Sequence, residues 1–202
     1  ENLQREDLNP MEQARSYADD IAVWVDVKSI DDTYEVCKEL ADRVRIITTA
    51  GYIEPHLQEM HDAMKTDWCL RLDDDEMLGA NFWRHKELLT ALPFDAVAFR
   101  RYNLVGGEFA YCAGDGFYPD WQVRLMKRGK VSFNGRIHSQ PIIVGKHPLL
   151  QQTLHIFHLK ELVRTKIELD VMAGKYAILS GVAPAPYRPF FGEVRGCEEM
   201  IG

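Results

Sequence analysis

Long apolar runs are missing from this chain. None approaches the ~20 residues that a membrane-spanning helix requires, and the opening residues have no apolar core of the secretory-leader kind. A basic excess is missing too. Lys and Arg number 24 against 31 Asp and Glu, a formal charge of −7. Surfaces for nucleic acid or anionic lipid need clustered positive charge, so neither is an expected partner. Cysteine is scarce, with Cys37, Cys69, Cys112 and Cys197 and no C-x-x-C spacing, which excludes zinc ribbons and redox dithiols. Cys37 and Cys69 sit among apolar residues and read as small core side chains in a reducing compartment. There is no internal repeat.

What is present fits one globular domain. The chain has 202 residues, 46% hydrophobic and 27% charged, enough for a full core and too few for two ordinary domains. Asn9-Pro10-Met11-Glu12 opens a helix expected to run to about Asp19-Asp20, with Asn9 as its cap. Ile21 to Val25 is a continuous apolar run, the mark of a strand buried on both faces. Asp31-Asp32 opens a second helix, with Val36, Cys37, Leu40 and Ala41 as its stripe. A strand from Val44 to Thr48, a helix carrying Leu57, Met60 and Met64, and a strand from Trp68 to Asp73 follow. Then come a helix capped by Asn81 and a strand from Ala96 to Phe99. This alternation predicts an α/β fold with a doubly wound, mostly parallel sheet.

After Tyr102 the pattern changes. Gly106-Gly107, Gly114 and Gly116 mark loops, and Gln122–Met126, Val131–Phe133, Ile142-Ile143 and Thr153–His158 are strands without helices between them. One long helix is expected from about Glu161 to Leu179, then an irregular tail from Gly181 containing Pro184, Pro186 and Pro189. The expected organisation is one domain over 1–180, with halves 1–102 and 103–180, and a tail over 181–202.

The strongest chemical signal is Trp68-Cys69-Leu70-Arg71-Leu72-Asp73-Asp74-Asp75-Glu76, a buried-type strand ending in four acidic residues. Ligands of open α/β sheets bind beyond the carboxyl ends of strands. Adjacent carboxylates repel, and a hard cation relieves that repulsion. Asp73 and Asp75 point the same way if strand geometry persists. The bland alternative is a solvated acidic turn. An EF-hand is excluded, because its sixth position needs Gly and is Leu78 here. A second strand ends at Asp26, where a carboxylate can accept from a nucleobase or ribose, whereas Asp31, Asp32 and Thr33 read as helix caps. His155 and His158 fall on opposite faces of a strand, so they do not form a two-His metal pair.

Four blocks, in order, resemble the inverting glycosyltransferase family 2 of GT-A type. Val25 to Thr33 is similar to its segment of Asp followed by Ser-x-Asp-x-Thr, with Lys28 where Gly is usual. Leu70 to Glu76 is similar to its Leu-x-Leu-Asp-x-Asp-Glu metal motif. Tyr118 to Leu125 with Gly135 to His138 resembles a block of the branch related to lipopolysaccharide-core transferases, with Ser139 where Glu is usual. Phe157 to Lys160, ahead of Lys175-Tyr176, resembles that branch's late His segment.

The resemblance implies a GT-A-like domain with a small antiparallel acceptor-side region. Its activity would be metal-dependent transfer of a sugar from a nucleotide-diphosphate donor to a carbohydrate, lipid-linked or protein acceptor, in the cytoplasm or at the membrane periphery, as in cell-envelope polysaccharide synthesis. Asp26, Asp73 and Trp121 would meet the donor. Asp73, Asp75 and His158 would hold Mg²⁺ or Mn²⁺. Asp120 would be the base, and His138 and Arg124 would lie on the acceptor side. The alternatives are a nucleotidyltransferase that makes a nucleotide sugar, and a degenerate nucleotide-binding domain without turnover. Glu1-Asn2-Leu3 resembles the start of the family's first helix. The family's first, central strand is therefore expected upstream of Glu1, with a gap or a substitute strand beside Val23 and Val25.

Overall fold

A computed structural model describes residues 10–106, 110–114, 117–187 and 194–196. Asn9, Gly107, Gly116, Pro189, Cys197 and the segment before Pro10 lie outside the described residues, and with them the expected cap of the first helix. In chain order the elements are α1 (Pro10–Arg15), β1 (Ala22–Asp26), α2 (Thr33–Leu40), β2 (Arg43–Ile47), a 3₁₀ turn (Glu54–His56), α3 (Leu57–Asp62), β3 (Trp68–Leu70) and β4 (Glu76–Leu78). There follow α4 (Ala80–Ala91), β5 (Ala96–Val105), β6 (Ala110–Cys112), β7 (Asp120–Lys127), β8 (Val131–Ser132), β9 (Ile142–Ile143), β10 (Leu149–His158), α5 (Lys160–Val163), α6 (Lys166–Leu179) and β11 (Val194–Gly196).

The protein is α/β, and its sheet is mixed rather than mostly parallel. β1 and β2 run parallel, as does β10 beside β5. The pairs β3–β7, β5–β7, β5–β6, β4–β10 and β6–β11 are all antiparallel. The helix-free second half accounts for part of this: β5, β6 and β7 follow one another without crossover helices and pair antiparallel. β5 is the spine, with β10 along one edge and β7 and β6 along the other. β1 and β2 form a separate two-stranded sheet. Among the described residues β1 pairs with β2 alone.

The central sheet buries both faces. Val97, Phe99, Leu125 and Ile156 pack with Leu78, Phe82, Trp83 and Leu89 on one side. Ala96, Ala98, Val123 and Met126 pack with Val131 on the other. Pleat alternation explains the division, since successive side chains of β5 enter opposite cores. Cys37 and Cys69 are buried as expected. No helix among the described residues is long and apolar enough to cross a membrane.

Several expected boundaries shift. The first helix stops at Arg15 rather than near Asp19. Gly79, not Asn81, caps α4. Of the α2 stripe only Cys37 is buried. The strand starting at Ala96 continues to Val105 because Tyr102, Asn103 and Leu104 are buried as well. The expected long helix after Glu161 is two, broken at Arg164-Thr165. Thr165 caps α6 in a box with Glu168, each side chain satisfying the other's backbone N–H. Within the tail, Val194–Gly196 pairs with Ala110–Cys112 instead of being irregular throughout.

His155 sits in an aromatic cluster, its ring 4.6 Å from that of Tyr102, which stacks on Tyr118 and Phe157. Burial pushes its imidazole down to about 4, and the nearby charge of Arg100 adds to the effect. The unfolded chain, with an ordinary histidine near 6.5, binds a proton that the folded chain refuses between those values. This contribution is fully present above about pH 6.5 and is lost as pH falls towards about 4, on the order of 3 kcal/mol in all. Urea titrations at about pH 7 and pH 5 should show about 2 kcal/mol of that loss in wild type and a clearly flatter dependence in His155→Gln. Equal slopes in the two proteins would remove His155 from the account.

Candidate functional site

The acidic run lies on a turn, not on a strand. β3 ends at Leu70, Arg71 N–H still bonds to the Arg124 carbonyl at 2.9 Å, and Glu76 N–H closes the turn on the Asp73 carbonyl at 3.1 Å. Glu76 opens β4 opposite His158, and Leu159 N–H donates to the Asp75 carbonyl at 2.7 Å. The turn is thus fixed between the ends of β3 and β10. Strand geometry does not persist through it, so Asp73 and Asp75 have separate partners.

Glu76 is fully buried. Arg124 donates to both its carboxylate oxygens at 2.7 Å, and Arg101 adds a third bond at 2.9 Å. Arg124 also reaches Asp73 at 2.9 Å, where Arg71 stands 3.5 Å away. Burial disfavours the charge on Glu76, but the two guanidiniums outweigh it and hold the carboxyl far below its ordinary range. Arg124 is shifted upward: burial opposes its charge, and Glu76 and Asp73 overcome that.

A β-bulge supplies the arginine. β7 pairs Val123 with Ala98 and Leu125 with Val97, leaving Arg124 as the extra residue, re-aimed at the turn. Arg124 was expected on the acceptor side; at 2% exposure it lies beneath the acidic turn as a counter-ion.

Arg101 links the turn to Asp120, donating to Asp120 Oδ2 from Nε at 2.8 Å and from Nη2 at 2.7 Å. Gln122 donates to the other oxygen at 2.7 Å. Asp120 is therefore one guanidinium away from Glu76. Trp121 takes the opposite face of β7, half-buried beside Val123 and Met126 with Arg100 over its ring at 5.4 Å. Asp120 and Trp121 do not share one wall.

His158 and Asp75 come together. Asn103 Nδ2 donates to the Phe117 carbonyl at 2.9 Å, so its oxygen faces His158 Nδ1 at 2.7 Å and must accept from it. The Nδ1 proton is committed there, and Nε2 faces Asp75 Oδ1 at 3.5 Å. Burial works to raise the Asp75 carboxyl, but His158, when a second proton on Nε2 makes it a cation, and Arg164 bring it below its ordinary value. Arg164 bonds Asp74 at 2.7 Å and stands 3.6 Å from Asp75.

Two further segments carry expected site residues. Asp26 accepts from the Thr49 hydroxyl and from Lys28 N–H at 3.0 Å, and these bonds keep its carboxyl below the ordinary value. Lys28 folds back on the Thr49 carbonyl at 3.0 Å. His138 adopts φ 59, donates its N–H to Glu54 at 2.8 Å and sets its ring 5.1 Å from Tyr176. Burial raises the Tyr176 hydroxyl, and the charges of Glu54, Asp73, Asp74 and Asp75 raise it further.

Among the described residues no three His, Cys, Asp or Glu side chains converge as a complete metal cage. Asp75 and His158 bring together one carboxylate and one imidazole nitrogen, two groups of metal-ligand type. Reading by residue type included Glu76 in the acidic run without its buried role, and missed Arg101 and Asn103. The available signal was an arginine pair and an asparagine inside the apolar stretch Ala96–Leu104, where buried charge demands a partner. Neither models of known protein families nor curated proteins match this chain.

Arg124→Met should lower stability by about 3–5 kcal/mol by leaving Glu76 charged and buried without its main partner. Glu76→Leu with Arg124→Met should recover a large part of the loss. Chemical denaturation of both variants tests this, and a double variant no more stable than the single one would contradict the pairing.

Proposed function

We propose that this protein is a metal-dependent inverting glycosyltransferase using a nucleoside-diphosphate sugar. The observation that carries it is the pairing of Asp75 with an imidazole nitrogen of fixed tautomer, on an acidic turn at the carboxyl end of β3. The carboxylate of Asp26, at the carboxyl end of β1, supports the nucleoside side of the same reading.

Asp75 and His158 would hold Mg²⁺ or Mn²⁺, with Asp73 beside them. The cation would neutralise charge developing on the leaving diphosphate. Asp26, ionised and backed by Thr49, accepts from the nucleoside. Asp120, oriented by Arg101 and Gln122, takes the proton of the acceptor hydroxyl as that oxygen attacks C1 from the face opposite the diphosphate. A single displacement inverts the anomeric centre, and holding both substrates in line supplies much of the acceleration. Glu76 touches no substrate; its two arginines keep the turn and Asp120 in fixed relation.

Calorimetric titration with nucleoside diphosphates and Mn²⁺ is the direct test. Wild type should bind only with metal, and Asp75→Asn should abolish that binding while its thermal midpoint stays near that of wild type. Unchanged titration of the variant would sink the metal assignment. Incubation with donor sugars should release nucleoside diphosphate; consumption of pyrophosphate would mark a nucleotidyltransferase instead. Asp120→Asn should lower kcat with nucleotide affinity retained, whereas a proportional loss of affinity would take the base role from it.

A further inference from the structure

Helix α6 and the loop after β2 meet at Gly51. Its φ is +106°, and a Cβ built there would stand 2.3 Å from Lys175 Cε and 3.2 Å from Nζ. The lysine stem therefore crosses the backbone at a distance only glycine permits. The other cations around the site are engaged: Arg101 and Arg124 with Glu76, Arg164 with Asp74, Lys28 with the Thr49 carbonyl. Lys175 is exposed and makes no ion pair among the described residues.

Its position is informative on both sides. Gly51 N–H bonds to the Thr49 hydroxyl at 3.2 Å, the same hydroxyl that holds Asp26. Tyr176, the next residue of α6, stands against His138 and feels the charges of Glu54 and the acidic turn. Lys175 is thus an exposed point charge beside the loop that carries the Thr49–Asp26 pair, on the helix whose next residue feels the acidic turn. An ammonium on a flexible stem is suited to phosphate oxygens, which rotate past one another as a leaving group departs.

We infer that Lys175, laid across Gly51, binds the diphosphate of the donor from the side opposite the acidic turn. This rests on the proposed glycosyltransferase reading. The test is calorimetric titration with UDP, GDP, CDP and ADP, each with Mn²⁺, and with the matching monophosphates. Lys175→Met should bind the preferred diphosphate about tenfold or more weakly, with little change for the monophosphate. Lys175→Arg keeps the charge and should stay within about threefold of wild type. If wild type binds a diphosphate and Lys175→Met binds it equally well, the inference falls and the proposed function stands. If Lys175→Arg loses as much as Lys175→Met, the cation is not the cause and the inference falls again. If wild type binds none of the four, the proposed function falls and takes the inference with it.

Discussion

A carboxylate with no access to water, between two guanidiniums, is the constraint on which this site depends. Taking Glu76 out of solvent is costly, and only close, multiply hydrogen-bonded cations offset that cost. The partners come from different strands, Arg101 from β5 and Arg124 from β7. One buried charge therefore ties together the end of β3, the start of β4 and the middle of the sheet. Asp73, Asp75 and Asp120 inherit their positions from that tie. Acidic residues crowded on a four-residue turn would otherwise repel, and here most of the compensation comes from arginines on neighbouring elements rather than from solvent.

The fold was partly legible because period and punctuation carry it. The apolar run at Val23 to Val25 and the alternation around Trp68 to Leu70 locate strands, and Asp31-Asp32 locates a helix start. Sheet direction was not legible. β4 is three residues long and reads locally as the tail of an acidic run, and β10 pairs parallel to β5 across some fifty intervening residues. The break at Arg164-Thr165 was written in the sequence, since Thr165-Lys166-Ile167-Glu168 has capping-box spacing, but helical periodicity on both sides concealed it.

The site divides the same way. The candidate carboxylates Asp26, Asp73, Asp75 and Asp120 are legible by type and by placement near strand ends. The partners that surround each of them are not. The tautomer of His158 depends on an amide oriented by the carbonyl of Phe117, and the surroundings of Asp120 depend on an arginine two strands from the acidic turn. Trp121 neighbours Asp120 in sequence and faces the other core in space, because a pleat separates consecutive residues more decisively than sequence distance suggests.

The bulge in β7 also sets apart what the sheet requires from what the site requires. Val123 and Met126 enter one core and Leu125 the other, and an uninterrupted strand running Val123-Leu125-Met126 would give the same allocation. Excising residue 124 would leave the hydrophobic lettering of the strand intact and restore a regular ladder. Arg124 is therefore extra to the hydrophobic pattern of β7, although its carbonyl still accepts from Arg71 N–H. Among the described residues its side chain answers two carboxylates, Glu76 and Asp73, so the irregularity belongs to a buried charge and not to the hydrophobic pattern.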